Sequence, residues 1–323
     1  MKPAVLMTDP RNFAIRGGAN PHTRRPDNSL KVVEIDKAWP QWHTYIDQLL
    51  DRGVDVYIID ATPELTGMVF AANAGFLEGR LDDRAPSDKT FFASHFTAKH
   101  RVGESALFED FMDQFGFTVA EYPDEWRFEG EADAFPVGRG AQKEWLFTWG
   151  YRSDENVADW LEDQVIGEPF SRFKLTDPKY YHGDCLLCDL GGPFLGWTGG
   201  LDESSSQRLR ERFSERLIEM SDEDAASFIG NSFYVETDAS RLLYAPSEIS
   251  SKLRERIESE GIEVVPIDIS EFFGKGGGGP KCMVFNLGPV DPDDPRLSDE
   301  QRAFRRARHV ETLRREEYFP VAP

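Results

Sequence analysis

The feature that most constrains the fold is a repeated local pattern, in which an amphipathic helical stretch ends at a glycine and a run of β-forming residues follows. Each glycine can adopt the left-handed conformation that ends a helix. Three copies span 42–59, 105–120 and 249–267, with Gly53, Gly116 and Gly261 at the junctions, and a weaker copy ends at Gly167. Further short β-type runs lie between the copies, so the sequence predicts an α/β protein built from internal repeats.

The runs between the copies are 68–70, 90–93, 145–148 and 232–235. A single Rossmann sheet fits less well, since no Gly-x-Gly-x-x-Gly motif opens a helix after the first predicted strand. The glycine run 276–279 is short and suits a tight loop better than a domain boundary. The last helical stretch, 299–316, is rich in Arg and Glu, which predicts a solvated, ion-paired helix.

Composition narrows the range of functions. The 323 residues carry a formal charge of −21, which argues against nucleic acid as a main partner because its phosphates would be repelled. No run of about 18 apolar residues is present, so no membrane span is expected, and the N-terminal start is not that of a signal peptide. Three cysteines are too few for a disulfide framework in a chain of this length. We therefore expect a cytoplasmic protein with free thiols.

Cys282 follows the glycine run and precedes a hydrophobic β-type run. The backbone amides of a glycine run can approach a ligand closely, and Lys281 adds positive charge, so both features favour a nucleophilic thiolate. A buried structural cysteine explains the same position, because free Cys is among the most buried residue types. From the residues alone, both interpretations remain open.

A second cluster contains His182 and Asp184, two residues apart. On a strand, both side chains would lie on one face, where an imidazole and a carboxylate can transfer a proton and bind a cation. A core histidine is the alternative. Cys185 and Cys188 have the spacing of half a zinc site, but the sequence holds no second pair, so we expect no metal and predict that both cysteines pack in the core.

Two further segments place polar groups among apolar residues. Glu129, Glu131 and Asp133 lie on an otherwise apolar predicted strand, where burial without partners is costly, so some are expected to face a polar cavity. An exposed acidic turn is the alternative. Asn73 lies in an apolar run, and its amide needs a hydrogen-bond partner if it is buried. Together these residues favour a cysteine hydrolase or transferase that uses a histidine and carboxylates.

Seven segments, in chain order, resemble motifs of the guanidine-modifying (pentein) superfamily, which includes arginine deiminases, dimethylarginine dimethylaminohydrolases, arginine dihydrolases and amidinotransferases. The segments are 19–21, 69–75, 101–104, 128–134, 150–153, 182–184 and 277–282. Each motif alone is weak, whereas the ordered series ending on a cysteine is specific. The resemblance implies a five-bladed α/β propeller with pseudo-fivefold ββαβ repeats around a central site, formed by residues 1–323 as a single domain.

The resemblance also implies a role for each residue of the site. Cys282 is the nucleophile, and His182 is the general acid and base. Glu129 orients and charges the imidazole, with the guanidinium as a second contact. The implied substrate-binding residues are Asn73 and Asp184 for the guanidinium nitrogens, Phe70 for its plane, Arg101 and Arg152 for a substrate carboxylate, and Asn20 to close the site.

The implied activity is cysteine-dependent hydrolysis of the guanidinium group of arginine or a substituted arginine, through a covalent thiouronium intermediate and without a cofactor. Asn73 stands where many deiminases and dimethylarginine dimethylaminohydrolases carry Asp, and its segment resembles the arginine dihydrolase branch more closely. Arginine dihydrolase or deiminase chemistry is therefore favoured over dimethylarginine hydrolysis. Gly183, in place of a common Leu, predicts extra room beside His182. An amidinotransferase and a non-catalytic binding protein on the same fold are alternatives, and a homo-oligomer is compatible with the sequence.

Overall fold

The computed structural model describes residues 1–138 and 143–316. These residues form five small sheets of three strands each. The strands are β1 (Lys2–Thr8), β2 (Asp55–Ile59), β3 (Gly75–Leu77), β4 (Thr90–Ala93), β5 (Thr118–Ala120), β6 (Ala134–Val137), β7 (Glu144–Trp149), β8 (Phe170–Lys174), β9 (Leu187–Asp189), β10 (Phe194–Gly196), β11 (Leu217–Glu219), β12 (Phe233–Glu236), β13 (Arg241–Pro246), β14 (Glu263–Ile267) and β15 (Phe285–Val290). The helices are α1 (Ile35–Asp51), α2 (Glu104–Phe115), α3 (Asn156–Trp160), α4 (Glu203–Phe213), α5 (Asp222–Ala226), α6 (Ser251–Glu258), α7 (Ser270–Gly276), α8 (Asp299–Arg308) and α9 (Val310–Arg315).

All five sheets share one pairing pattern, in which the middle strand pairs antiparallel with one neighbour and parallel with the other. Strand β4 pairs antiparallel with β3 and parallel with β5. The same arrangement recurs around β7, β10 and β13. Parallel strands need a crossover connection, and α2, α3, α4 and α6 supply it. Each of these units is therefore β–β–α–β, as the resemblance to the guanidine-modifying superfamily implies.

The remaining sheet joins the two ends of the chain. Strand β15 pairs antiparallel with β1, and β1 pairs parallel with β2 after the crossover through α1. The first unit thus takes one strand from the far end of the sequence. Because β15 begins at Phe285, this pairing fixes the position of the segment that carries Cys282 just before it.

The glycines that end the helices adopt the predicted conformation. Gly116 follows α2 with a φ of 101°, and Gly53 and Gly261 have φ values of 82° and 74°. Gly167, with a φ of 73°, ends a short π-helical turn that prolongs α3. The helix–glycine–strand pattern is therefore confirmed. The apolar face of α2 packs in one buried cluster with β4, which illustrates how each helix covers its sheet.

Several local predictions were wrong. Residues 68–70 form a turn, and the segments near Glu129 and His182 form short 3-10 turns at Gly130–Ala132 and Gly183–Cys185 instead of strands. Polar side chains near these turns bond backbone N–H groups and compete with sheet pairing. The predicted helix 299–316 is divided at His309, whose backbone is extended and whose side chain caps α9.

Across the described residues, every helix is too short or too polar to cross a lipid bilayer.

Candidate active site

Six of the predicted site residues lie in equivalent places, in or next to the turn immediately before the first strand of a unit: Phe70, Asn73, Glu129, His182, Asp184 and Cys282. The turns are Ala71–Ala74 before β3, Gly130–Ala132 before β6, Gly183–Cys185 before β9, Ile229–Asn231 before β12, and 280–283 before β15. These turns contact one another. The N–H of Ala72 donates to the carbonyl of Cys282 at 3.1 Å, and the N–H of Lys281 donates to the carbonyl of Asn231 at 3.0 Å. The repeated fold therefore gathers residues that are far apart in the sequence.

One cleft contains both the predicted nucleophile and the predicted acid–base residue. Cys282 and His182 are only 2% and 1% exposed, yet both line this cleft. The other predicted residues that line it are Asn20, Phe70, Asn73, Arg101 and Arg152. Asn20 Nδ2 also donates to the carbonyl of Gly276 at 2.9 Å, which ties the N-terminal segment to the glycine run. Glu129 and Asp184 are buried next to this group of residues.

The imidazole of His182 is held by a buried carboxylate. Its Nε2 atom lies 2.9 Å from Oε2 of Glu129, whose Oε1 accepts the backbone N–H of Thr97 at 3.0 Å. Burial alone would raise the pKa of Glu129, but the charge of Arg152, the bond to His182 and the charge of Arg101 outweigh it, so the pKa lies well below its usual value. Glu129 therefore stays ionised. Within the described residues Nδ1 of His182 has no hydrogen-bond partner, so it is the atom available to a ligand.

Arg101 and Arg152 line the cleft but are paired with carboxylates of the protein. Arg101 donates from Nε to both oxygens of Glu104 at 3.0 Å and from Nη2 to Oε2 at 2.6 Å. Arg152 donates from Nη1 to both oxygens of Glu129 at 3.2 Å. Paired burial of this kind fixes both side chains and balances their charges. A ligand carboxylate would therefore share these guanidinium groups with Glu104 and Glu129.

Asn73 turns its amide oxygen towards Arg101, which donates to Oδ1 from Nη1 at 2.9 Å. Its Nδ2 atom has no partner among residues 1–138 and 143–316 and is therefore the group left for a ligand. A guanidinium offers only N–H donors, whereas Nδ2 needs an acceptor. The geometry thus suits a carbonyl oxygen at Asn73 better than a guanidinium nitrogen.

Asp184 contacts the nucleophile but borders a different cavity. Its Oδ2 atom lies 3.9 Å from Sγ of Cys282, and Oδ1 lies 3.7 Å from Sγ of Cys185. The carboxylate lines a second cavity of about 90 Å³, together with Lys281. Burial raises the pKa of Asp184 to about 6, against the opposing charges of Lys281 and His182. Asp184 is therefore partly protonated in mildly acidic solution.

All three cysteines are buried free thiols. One ligand atom each from His182, Asp184 and Cys185 lies within 4.8 Å of the others, a cluster that could hold a metal ion. A structural zinc site needs four ligands, and Glu129 already occupies Nε2 of His182. The expectation of no metal stays a prediction. Cys188 packs with its Sγ 3.3 Å from the carbonyl oxygen of Ser232.

Lys281, expected to add positive charge beside the thiol, has its ammonium group paired with a buried carboxylate. Its Nζ atom lies 2.5 Å from Oε1 of Glu131, which also pairs with Arg80. Glu131 is fully buried and accepts the backbone N–H of Asn286 at 3.1 Å. The positive charge next to Cys282 in the sequence is therefore used to hold the turn before β6.

The extra room expected at Gly183 is absent from the described structure. A Cβ atom at Gly183 would lie 2.3 Å from Oγ1 of Thr148, so Thr148 already fills the space. Thr148 donates to Oδ1 of Asp133 at 2.6 Å, and the same oxygen accepts the N–H of Gly183 at 3.0 Å. Glycine is needed here because it lets this buried group pack against the turn that carries His182.

Sequence reasoning missed Asn231. This residue is fully buried, and its Oδ1 atom accepts the N–H of Cys282 at 3.1 Å. A signal was present, because Asn231 directly precedes the β-type run 232–235. In the other units the equivalent segment carries Asn73, Glu129 or His182. Comparing the segment just before the first strand across all units would have identified Asn231.

Solved structures share this architecture. The N-terminal domain of ArgZ, a cyanobacterial arginine dihydrolase bound to substrate, matches with a TM-score of 0.77 at 24% identity, over 88% of this chain and 98% of that chain. DDAH from Pseudomonas aeruginosa, complexed with citrulline, matches with a TM-score of 0.67 at 19% identity, over 88% of this chain and 99% of that chain. The predicted pentein fold, an α/β propeller of five units, is confirmed.

Curated proteins show the same relationship. The bifunctional arginine dihydrolase/ornithine cyclodeaminase ArgZ of Synechocystis sp. is 27% identical over 315 residues, which are 95% of this chain and 41% of the relative. The N(G),N(G)-dimethylarginine dimethylaminohydrolase of Mycobacterium tuberculosis is 26% identical over 287 residues, 88% of this chain and 85% of the relative. The chain spans only 41% and 37% of the lengths of the two bifunctional relatives it matches, ArgZ and AgrE of Nostoc sp..

The five-unit fold and the buried cysteine–histidine–carboxylate site define the guanidine-modifying superfamily. Within it, the profile of a family described as "N,N dimethylarginine dimethylhydrolase, eukaryotic" matches residues 9–288, and this chain belongs to that family.

Proposed function

We propose that this chain is a guanidino-group hydrolase in which Cys282 attacks the substrate and His182 moves the protons. The observation that carries the proposal is the cleft shared by the two residues. Nε2 of His182 is held at 2.9 Å by ionised Glu129, and Nδ1 has no hydrogen-bond partner in the described part of the chain. This orientation directs proton transfer through one ring nitrogen, as an acid–base residue requires. The relatives named above include an arginine dihydrolase and a dimethylarginine dimethylaminohydrolase.

The chemistry proceeds in two halves. The Cys282 thiolate adds to the guanidinium carbon and forms a C–S bond, giving a tetrahedral adduct. The C–N bond then breaks while His182 gives its proton to the departing amine, which leaves a covalent thiouronium. Water, deprotonated by His182, adds to the same carbon, and the C–S bond breaks to return the thiolate and release a ureido product. Each half restores the protonation state that the other half needs.

An arginine dihydrolase is the activity that the site supports best. Such an enzyme hydrolyses the ureido product a second time, so that arginine and two waters give ornithine, two molecules of ammonia and carbon dioxide. The Nδ2 donor of Asn73, which lacks a partner among the described residues, supports this choice, because it can bind the carbonyl oxygen of a ureido group. An Asp carboxylate would repel that oxygen. Dimethylarginine hydrolysis is the second candidate, and the matching family profile favours it.

The remaining predicted residues would bind the substrate. Phe70 lines the cleft and offers its ring to a planar cation. Asp184 supplies an anionic acceptor beside Cys282. Arg101 and Arg152 are our candidates for the substrate carboxylate, shared with their protein partners. Asn20 would hold the N-terminal segment over the bound substrate through its bond to Gly276.

Product analysis tests the proposal. Purified protein is incubated with L-arginine or with asymmetric dimethylarginine, and ornithine, citrulline, ammonia and dimethylamine are quantified. We expect ornithine and ammonia from arginine, and no turnover by a folded Cys282→Ser variant. Dimethylamine as the main product would select the second candidate, and transfer to an added amine would indicate an amidinotransferase. Inactivity with every guanidino compound would leave only a non-catalytic binding protein.

We further propose that residues 1–323 form one domain that acts in the cytoplasm without a cofactor. The three free thiols are compatible with a reducing compartment. None of the proposed steps needs a group beyond the side chains and water. A homo-oligomer stays a prediction, which sedimentation velocity would test.

A further inference from the structure

Asn231 connects two of the turns that build the site. Its Oδ1 atom accepts the N–H of Gly279 at 2.7 Å and the N–H of Cys282 at 3.1 Å. Its Nδ2 atom donates to the carbonyl oxygen of Asp184 at 2.9 Å. The side chain is fully buried, so solvent does not compete for these bonds. The side-chain amide of Asn231 therefore hydrogen-bonds both the segment that carries Cys282 and the turn that follows His182.

The surrounding backbone is shaped for this contact. A Cβ atom at Gly279 would lie 2.9 Å from Oδ1 of Asn231 and 2.8 Å from its carbonyl oxygen, so glycine permits the close approach. Phe228, which opens the turn Ile229–Asn231, has a φ of 60° and is fully buried. A bulky residue in the left-handed region is strained, and such strain persists only where the surroundings enforce it. The strained backbone at Phe228 therefore belongs to the turn that positions Asn231.

We propose that Asn231 is a positioning residue that sets the direction of the Cys282 thiol relative to Asp184. The inference rests on the proposed cysteine hydrolase activity. Holding the N–H of Cys282 fixes its backbone and hence the direction of the Cα–Cβ bond. The same amide holds the carbonyl of Asp184, whose carboxylate lies 3.9 Å from Sγ. Catalysis is sensitive to such geometry, since a misplacement of about 1 Å can cost about 100-fold in rate.

Asn231→Ala removes both halves of the contact. We expect kcat to fall about 100-fold, with a much smaller change in KM, because the residues that bind the substrate remain. We also expect slower alkylation of Cys282 by 2-chloroacetamidine in the folded variant, followed by peptide mass spectrometry. A purely structural role would lower the melting temperature but leave the kcat and the alkylation rate of the folded fraction unchanged.

Asn231→Asp provides a second and sharper readout. A protonated carboxyl group has the shape of the amide, accepts both N–H groups and donates to the carbonyl of Asp184. Once ionised, it has no donor and repels that carbonyl. Burial favours the protonated form. Relative to wild type, kcat of this variant should therefore recover in acid and fall as the pH rises. If Asn231→Ala does not fold, the pH profile of Asn231→Asp alone tests the inference. A ratio of its kcat to the wild-type kcat that does not vary with pH would overturn the inference.

Tyr45→Phe is the matched control. The hydroxyl of Tyr45 donates to the carbonyl of Pro280 at 3.2 Å, so its loss loosens the same segment without touching Cys282. We expect nearly wild-type kcat. An equal loss of kcat in Tyr45→Phe and Asn231→Ala, or wild-type kinetics in Asn231→Ala, would overturn the positioning role. If wild-type protein turns over no guanidino compound, the proposed function fails, and the alkylation rates still test Asn231.

Discussion

Glu129 and His182 form a buried hydrogen-bonded pair, in which Nε2 of the imidazole lies 2.9 Å from Oε2 of the carboxylate. The His182 side chain is 1% exposed and the Glu129 side chain is 0% exposed. The pair differs from a surface ion pair because water screens neither partner. The bond to Glu129 fixes which ring nitrogen of His182 faces the cleft. This relationship leads to the first prediction.

Glu129→Gln should lower kcat by about 100- to 10,000-fold, the range that acid–base groups contribute. The substitution keeps the size of the side chain but removes the charge that orients and stabilises the imidazolium. Steady-state kinetics on arginine and asymmetric dimethylarginine would measure the loss. Circular dichroism serves as the check on folding, and a folded variant with unchanged kcat would contradict this role for Glu129.

The alkylation pattern should single out Cys282. Burial raises the pKa of both Cys185 and Cys188 well above the usual value, which suppresses their reactive thiolates. Cys282 lines the cleft, where a planar amidinium can approach it. We expect 2-chloroacetamidine to label Cys282 at least about 10-fold faster than either of the others. Peptide mass spectrometry against time measures the rates, with denatured protein as the control. Uniform slow labelling would favour the binding-protein interpretation.

Asp184 should make the folded protein less stable as the pH rises, which is the opposite of the usual effect of a carboxylate. Its pKa rises from 3.8 to about 6 in the folded state, which corresponds to about 3 kcal/mol. The folded protein binds the proton more tightly, so this contribution to stability is complete below about pH 3.8 and is lost as the pH rises through about 6. Asp184→Asn cannot ionise. Relative to wild type, its free energy of unfolding should therefore rise by about 2 kcal/mol between pH 4 and pH 7.

Urea denaturation of wild type and Asp184→Asn at four or more pH values measures that difference. The matched comparison cancels other titrating groups, because they are common to both proteins. A difference in the free energy of unfolding that stays constant with pH would mean that Asp184 does not carry the raised pKa.

Glu131 should be important for stability rather than for chemistry. It is fully buried between Arg80 and Lys281, and Lys281 directly precedes the nucleophile. Glu131→Ala leaves two cations without their partner, which should cost about 3–5 kcal/mol in the free energy of unfolding. Glu258→Ala provides the control, since Glu258 pairs with Arg254 on the surface and should cost less than about 1 kcal/mol. Equal losses in the two variants would contradict the assignment.

Gly183→Ala should destabilise the protein by about 1–3 kcal/mol, the usual cost of overpacking a buried site. The added methyl group would meet Thr148 at 2.3 Å and push the turn that carries His182. Gly274→Ala is the control, because no atom of the described residues lies within 4 Å of a Cβ placed there. We expect that control to be neutral or slightly stabilised within α7. Tolerance of Gly183→Ala would restore the idea of free space beside His182.

The sequence was informative wherever the signal is local or repeated. Helix ends at Gly53, Gly116 and Gly261 were predictable because a left-handed residue follows directly from backbone sterics. The order of short motifs ending at Cys282 indicated the superfamily, and the repeat indicated the α/β class. The segments near Glu129 and His182 were not predictable as turns, because distant groups such as Asp133, which accepts the N–H of Gly183, decide their conformation.

By itself, the sequence determined the repeated helix–glycine–strand unit and the residue types from which a cysteine, a histidine and carboxylates could form a site. Only the tertiary structure decided which partner each of these groups contacts. It pairs Arg101 with Glu104, commits Lys281 to Glu131, fills the space at Gly183 with Thr148, and brings Asn231 to the N–H of Cys282. The physical reason is that burial makes every charge and donor need a partner. Apart from Glu104, which is three residues from Arg101, those partners lie on other units of the fold.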